Sequence, residues 1–396
     1  MQARRGQNQL NVLFVISGLQ VGGSERQLAL LASALAKTGM DVAVYSFIDG
    51  PVRATLQSSG VEVVLAPGGA SAATGGGVNP VAALHLFCVM LRRRPRIVHF
   101  LLPAAYLVGG PAAILARIPV RIMSRRSLNN YQQGSPLSAL IERRLHRVMS
   151  AVLGNSRRVV DQLCNVEQVP REKLGLIYNG VEFGPVGSDV RSRIRASLGI
   201  AEDALVFVIV ANLIPYKGHR DLIEAFEQAA PQIPAGWRLL IVGRDDGIGT
   251  NLRSQVRSAR IEPNVLFLGA RDDVSDLLAA SDVNLLSSHQ EGFSNTVLEG
   301  MAAQLPAIVT DVGGNPEAIL DGECGIVVPP HQPDRLAAAI GRLAGDRSLW
   351  LAMGRNALAR AREKFSIDSC VARHRELYAA LLAGRKPCDI ASIRVD

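Results

Sequence analysis

Short runs of aliphatic and β-branched residues alternate along the chain with longer segments whose apolar positions recur at helical spacing. Residues 11–17 predict a strand and 24–37 a helix, and 41–47, 61–65 and 96–100 predict further strands. These runs are apolar throughout rather than alternating. Strands of that kind are covered on both faces, so a parallel sheet with helices above and below is expected. The same grammar restarts with strands at 204–211, 238–242, 265–268, 283–287 and 307–310, the first followed by a helix at 221–230. Between the halves, residues 178–188 hold Asn179-Gly180, Gly184, Pro185 and Gly187, a turn-rich stretch that marks a domain boundary. The expectation is an α/β protein of two doubly wound, Rossmann-like domains, 1–183 and 184–365, facing a central cleft. Residues 366–396 form a last amphipathic helix, through Leu382, and a tail, with a return crossing to the N-terminal domain open to it.

Composition narrows the class. The chain has 396 residues, 48% hydrophobic and 20% charged, which suits two packed domains rather than disorder. Lys and Arg number 43 against 35 Asp and Glu, a net charge of +8 that points to an anionic partner such as a nucleotide or a phospholipid face. Nucleic acid is not expected, since aromatics are 5% and no nucleic-acid motif is present. Cys88, Cys164, Cys324, Cys370 and Cys388 are scattered without metal-ligand spacing and read as reduced thiols in a cytoplasm. Arg4 and Arg5 lead straight into the first strand, unlike a secretory signal. Residues 81–91 are too short for a membrane span. Residues 101–116 contain Pro103, Gly109, Gly110 and Pro111 and stop at Arg117, so both stretches read as buried helices.

In doubly wound folds, ligands bind outside the carboxyl ends of the strands, so the loops there carry the candidate chemistry. Gly22-Gly23-Ser24-Glu25 opens the first helix. It is either a tight turn with a Ser24–Gln27 capping box or a close approach to a ligand phosphate. Glu291 to Glu299 follows the strand at 283–287. Glu291 is placed to accept from sugar hydroxyls, and the amides of Phe293, Ser294, Asn295, Thr296 and Val297 stand where a helix start leaves donors for a sugar diphosphate. Glu299 is either the partner of Thr296 in a capping box or the acceptor of a ribose diol. Asn212 to Gly218 follows the strand at 204–211, and Lys217 there is either solvated or a cation for a departing diphosphate. His289, two residues before Glu291, either approaches the sugar or is an ordinary loop histidine, and His85, His146 and His374 read as helix residues without assigned roles.

In order and spacing, these segments resemble the retaining glycosyltransferases of family 4, which have the GT-B fold. The resemblance rests on Gly22 to Glu25, His99, Asn155-Ser156-Arg157, Tyr178-Asn179-Gly180-Val181, Lys217-Gly218, Glu291 to Glu299, and Thr310 to Glu317. It implies that Glu291 faces the donor sugar, that Glu299 holds the ribose, that Lys217 and His99 join the catalytic set, and that no divalent metal is needed. It departs at Asn212, where the family usually has an arginine, so that either Lys217 carries more of the leaving group or another basic residue, Arg271 or Arg244, compensates, and at Leu101, where relatives often place a second histidine. Asp245-Asp246 and Asp272-Asp273 are adjacent in sequence, which does not make converging metal ligands.

The expected activity is transfer of a sugar, with retention, from a UDP- or GDP-linked donor to a saccharide or lipid-linked acceptor in cell-surface polysaccharide synthesis. The alternatives are a sugar-nucleotide epimerase on the same fold and a non-catalytic sugar-nucleotide sensor. Residues 137–149 mix Leu137, Leu140, Ile141, Leu145 and Val148 with Arg143, Arg144 and Arg147. Together with Arg92 to Arg96, Arg121, Arg125 and Arg126, they suggest either a surface helix packed by its apolar stripe or peripheral binding to an anionic membrane.

Overall fold

The structure is a computed structural model that describes residues 10–68, 80–128, 135–184, 187 and 189–395. Arg4, Arg5, Pro185 and Ser188 lie outside the described residues. The chain divides into two compact units, Met1–Gly180 with Ile367–Asp396, and Val181–Ser366.

The first unit holds β1 (Asn11–Gly18), β2 (Asp41–Ile48), β3 (Glu62–Leu65), β4 (Ile97–Leu101), β5 (Val120–Arg125), β6 (Ala151–Gly154) and β7 (Leu174–Leu176). They form one parallel sheet in the order β3-β2-β1-β4-β5-β6-β7. Successive side chains of β1 serve opposite faces. Val12, Phe14 and Ile16 pack with Leu28, Leu31 and Leu35 of the helix Gly23–Lys37, while Leu13 and Val15 pack with Phe100 and Tyr106 on the other side. Each large apolar side chain buried this way contributes about 1.5–3 kcal/mol. The helix Ile367–Leu382 belongs to this unit, with Val371, Leu377, Tyr378 and Leu381 in the core that contains Phe14.

The second unit holds β8 (Val206–Val210), β9 (Arg238–Val242), β10 (Val265–Gly269), β11 (Val283–Leu286), β12 (Ala307–Thr310) and β13 (Gly325–Val328), parallel in the order β10-β9-β8-β11-β12-β13. Phe207 and Ile209 pack against Phe226 and Ile340, while Val206 and Val208 pack against Ile194 and Leu277.

The pattern of apolar runs missed β5, β6, β7 and β13. β5 reads Val-Arg-Ile-Met-Ser-Arg, and β6 and β7 are four and three residues long, too short or too mixed to register. Both expected capping boxes fail. Gly22 is the N-cap of the first helix, without a side-chain cap, and Gln27 instead clamps the backbone of Gly180. Its Nε2 donates to the Gly180 carbonyl at 2.7 Å and its Oε1 accepts from the Gly180 amide at 3.1 Å.

No helix among the described residues is long and apolar enough to cross a membrane. The stretches at 81–91 and 101–116 fold as the helices Pro80–Arg93 and Pro103–Leu115.

Candidate functional site

In the second sheet the strand order reverses between β8 and β11, the switch point at which α/β folds open a ligand crevice. The loops leaving these two strands carry Lys217 and Glu291. Lys217 Nζ donates to Glu291 Oε1 at 2.6 Å, and Ser288 Oγ donates to the same oxygen at 2.7 Å. The pair is neither buried nor solvated, with side chains 19% and 11% exposed.

Tight backbone packing holds it there. Gly218 has φ +69°, and a Cβ at that position would stand 1.9 Å from the Ser287 carbonyl oxygen. Ser287 Oγ donates to the carbonyls of Lys217 and Gly218. On the other side, Gly313 has φ +53°, and a Cβ there would stand 2.2 Å from the Glu291 carbonyl oxygen. Gly314 N–H donates to the Gly292 carbonyl at 2.8 Å, and Thr310 Oγ1 donates to the Ser288 carbonyl at 2.5 Å. The Thr310 to Glu317 segment therefore supports the Glu291 loop from behind.

The helix Asn295–Ala302 starts beside this loop. Its N-cap is Ser294, whose Oγ accepts from Val297 N–H at 3.4 Å. That corrects the Thr296–Glu299 capping box: the cap falls two residues earlier, and Glu299 lies in the second turn, half-buried. Phe293 is buried and meets the Phe365 ring.

Asn212 has a role of its own, accepting through Oδ1 from the Arg244 amide at 3.3 Å and so joining the loops after β8 and β9. The two arginines suggested as replacements are engaged by near neighbours. Arg244 pairs with Asp246, and Arg271 pairs with Asp273 through Nε at 2.7 Å and Nη2 at 2.5 Å. His219, which sequence reasoning missed, is buried at the start of the helix His219–Ala229. Burial, and next the positive charge of Lys217, push its pKa down to about 4.

In the first sheet the order reverses between β1 and β4. Gly22 and Gly23 follow β1. A Cβ on Gly22 would meet the Glu25 carboxylate, whose pKa is raised by burial. His99, on β4, lies buried among side chains of its own unit. It is 1% exposed, its Nδ1 is 2.8 Å from the Tyr378 hydroxyl, its Nε2 is 2.7 Å from Ser124 Oγ, and it stacks on Phe14. Burial drives its pKa well below the usual value, so it stays neutral. Arg126, at the end of β5, donates to Asn179 Oδ1 at 2.7 Å and lies within electrostatic reach of Glu25. Nothing in the sequence distinguished it from the surface arginines. Ser156 caps the helix Arg157–Asn165, which explains the Asn155-Ser156-Arg157 segment locally.

Two parallel Rossmann-like sheets, each with chemistry gathered at its switch point, are the architecture of the GT-B glycosyltransferases, and solved structures of that class match this one. HepE of Anabaena in complex with UDP-glucose superposes with a TM-score of 0.81 at 23% identity, over 94% of this chain and all of that one. WaaG, a glycosyltransferase involved in lipopolysaccharide biosynthesis, gives 0.74 at 20% identity, over 93% of this chain and 99% of that one. The family model "Glycosyltransferase Family 4" matches residues 21–183, and "Glycosyl transferases group 1" matches 190–360. The chain belongs to this family of glycosyltransferases. Among curated relatives, the N-acetyl-alpha-D-glucosaminyl L-malate synthase of Bacillus anthracis is 30% identical over 217 residues, 55% of this chain and 56% of that protein. The chain thus spans about half the length of the curated relatives it matches.

Proposed function

We propose that this chain is a retaining, metal-independent glycosyltransferase that takes a sugar from a UDP- or GDP-linked donor. The observation that carries the reading is the Lys217–Glu291 pair at the switch point of the second sheet, 2.6 Å apart. A donor diphosphate arriving there competes for the Lys217 ammonium, and Glu291 is released to accept from sugar hydroxyls. The bond between the anomeric carbon and the diphosphate oxygen breaks. The acceptor hydroxyl attacks from the same face, and its proton passes to the leaving phosphate. Lys217 stabilises the charge that grows on that oxygen. Amides around Ser294 to Thr296 hold the diphosphate, Glu299 the ribose diol, and the N-terminal unit, through the Gly22–Gly23 turn, the acceptor side. The epimerase and sensor alternatives draw no support from the relatives, which are named as a synthase and as glycosyltransferases.

The test is calorimetry with UDP-, GDP- and ADP-sugars, followed by turnover with an acceptor panel. Anomeric configuration is read by NMR. Nucleotide release or sugar epimerisation that proceeds equally without acceptor would overturn the transferase reading.

The acceptor is lipid-linked and reached from an anionic membrane at its cytoplasmic face. The support is the helix Pro136–Val148, which packs inside out. Glu142, Leu145 and His146 are buried, while Leu137, Leu140, Ile141 and Val148 are exposed beside Arg143, Arg144 and Arg147. Leu137 is 69% exposed. The helices Pro80–Arg93 and Pro103–Leu115 add exposed Leu84, Leu91, Ile114 and Leu115. Two arginines counted towards that face do not belong to it. Arg125 is buried, with Nη2 2.6 Å from both Glu142 and Glu167, and Arg126 turns to Asn179. Arg121 donates to the Val148 carbonyl, closing the helix end.

A further inference from the structure

Three segments of the second unit bring together two imidazoles and a carboxylate that the transfer chemistry does not use. Asp221 lies in the first turn of the helix His219–Ala229, His289 in the loop after β11, and His331 between β13 and the helix Pro333–Gly345. His289 Nε2 is 2.8 Å from Asp221 Oδ2, and the His289 and His331 rings lie 3.7 Å apart between centroids. One donor atom from each residue falls within 4.8 Å of both others.

We propose that Asp221, His289 and His331 form a binding site for a divalent transition metal of the zinc class, separate from the sugar-transfer chemistry. Two imidazole nitrogens and one carboxylate oxygen are a donor set that zinc-class ions accept, leaving a further position for water. Hard ions such as Mg²⁺ favour oxygen donors and are not expected to bind. The frame is partly organised in advance. His289 N–H donates to the Tyr216 carbonyl at 2.7 Å, which fixes the backbone that carries one imidazole. His331 adopts φ +60°, an uncommon conformation for a residue with a Cβ, and although exposed it keeps its ring against His289. Zinc bonds of about 2.0–2.1 Å need the donors to close to roughly 3.3 Å, an adjustment within reach of side-chain rotation at His331. A second cluster of carboxylates and imidazole, Glu142, Glu167 and His146, already holds a cation in Arg125.

The site shares backbone with the reaction centre, since His289 stands two residues before Glu291 and its amide is bonded to the turn that presents Lys217. Bound metal therefore stiffens both loops.

The experiment uses full-length protein without a polyhistidine tag, stripped with chelator and dialysed, and no sugar nucleotide, so that its result is independent of the donor proposal. ZnCl2 is titrated with equilibrium dialysis and thermal melting as readouts, MgCl2 serves as the control ion, and Co²⁺ is added for its visible spectrum. One equivalent of zinc is expected, with a raised melting temperature, a Co²⁺ spectrum free of thiolate charge-transfer bands, and no response to Mg²⁺. His331→Ala, at an exposed loop position, should keep the fold and weaken zinc binding at least about tenfold. Replacing Cys388 by Ser should leave binding unchanged. Absence of stoichiometric zinc binding in the wild-type protein, or binding unaffected by His331→Ala, would overturn the assignment.

Discussion

The Lys217 ammonium and the Glu291 carboxylate, 74 residues apart in the chain, meet at 2.6 Å where β8 and β11 lie side by side. The contact fixes the two side chains opposite each other, and under the proposed function each is exchanged for a group of the donor. Lys217→Ala should therefore lower kcat by about 10²–10³, the usual loss when one donor to a developing charge is removed. Asn212→Ala should cost far less, because its side chain accepts from a backbone amide and brings no charge to the diphosphate. Asn212→Arg discriminates further: it should be harmful if the bond to Arg244 orders the loop. Equal losses in kcat/KM for Lys217→Ala and Asn212→Ala would show the ranking to be wrong.

Glu291→Ala should nearly abolish transfer while the melting temperature holds. Near wild-type turnover in the folded variant would remove Glu291 from the reaction.

Ser294 and Glu299 separate helix capping from ligand binding. Ser294→Ala removes the side-chain cap and should cost about 1 kcal/mol of stability. Glu299→Ala should weaken nucleotide binding and leave melting almost unchanged. A drop in melting temperature with donor affinity intact would return Glu299 to a structural role.

Acid should unfold the protein through its buried neutral histidines. Burial pushes His374 and His219 down to about 4, against about 6.5 in the unfolded chain. Between these values the unfolded state binds the extra proton, so stability falls as pH drops from about 6.5 towards 4, by roughly 2 kcal/mol per histidine at pH 5. His374→Gln should flatten the melting-temperature profile in that window. An unchanged slope would mean that other groups control the acid limb.

Chelation should leave transfer intact. Loss of activity in EDTA, restored by Mg²⁺ or Mn²⁺, would contradict metal-independent chemistry. On membranes, anionic liposomes should float the protein at low salt and release it at high salt. Serine at Leu137, Leu140 and Ile141 should abolish flotation without lowering the melting temperature.

The repeated alternation of apolar strand and helix was legible because parallel strands buried on both faces leave long apolar runs. That Glu291 and Lys217 sit in loops at strand ends was legible, since glycine and chemistry-bearing residues concentrate there, whereas the support of the Glu291 loop by Gly313 and Gly314 was not, because it depends on backbone contacts between segments. The burial of His99 was hidden because a strand-end histidine looks the same in sequence whether it faces solvent or Tyr378, which lies 279 residues away. The outward face of Pro136–Val148 was equally hidden. The same spacing serves a helix docked by its leucines and one docked by Glu142, through a buried ion pair with Arg125, and by His146, through a hydrogen bond to Glu167. Arg126 carried no signal, because its distinction is the company of Asn179 and Glu25.

The chain crosses between units twice, after Gly180 and after Ser366, and the two crossings are adjacent, with Val181 N–H donating to the Phe365 carbonyl at 2.8 Å. The second unit is thus one unbroken stretch, whereas the first is assembled from both ends of the sequence. During synthesis the second unit can close as soon as residue 366 clears the ribosome. The first must wait, with the face of β1 that holds Phe14 covered by the helix Gly23–Lys37 but only in part, until Val371, Leu377 and Tyr378 arrive. The half made first is therefore the half finished last, and a nascent chain stalled before residue 367 should present that apolar face to chaperones even though all seven strands of its sheet have already been made.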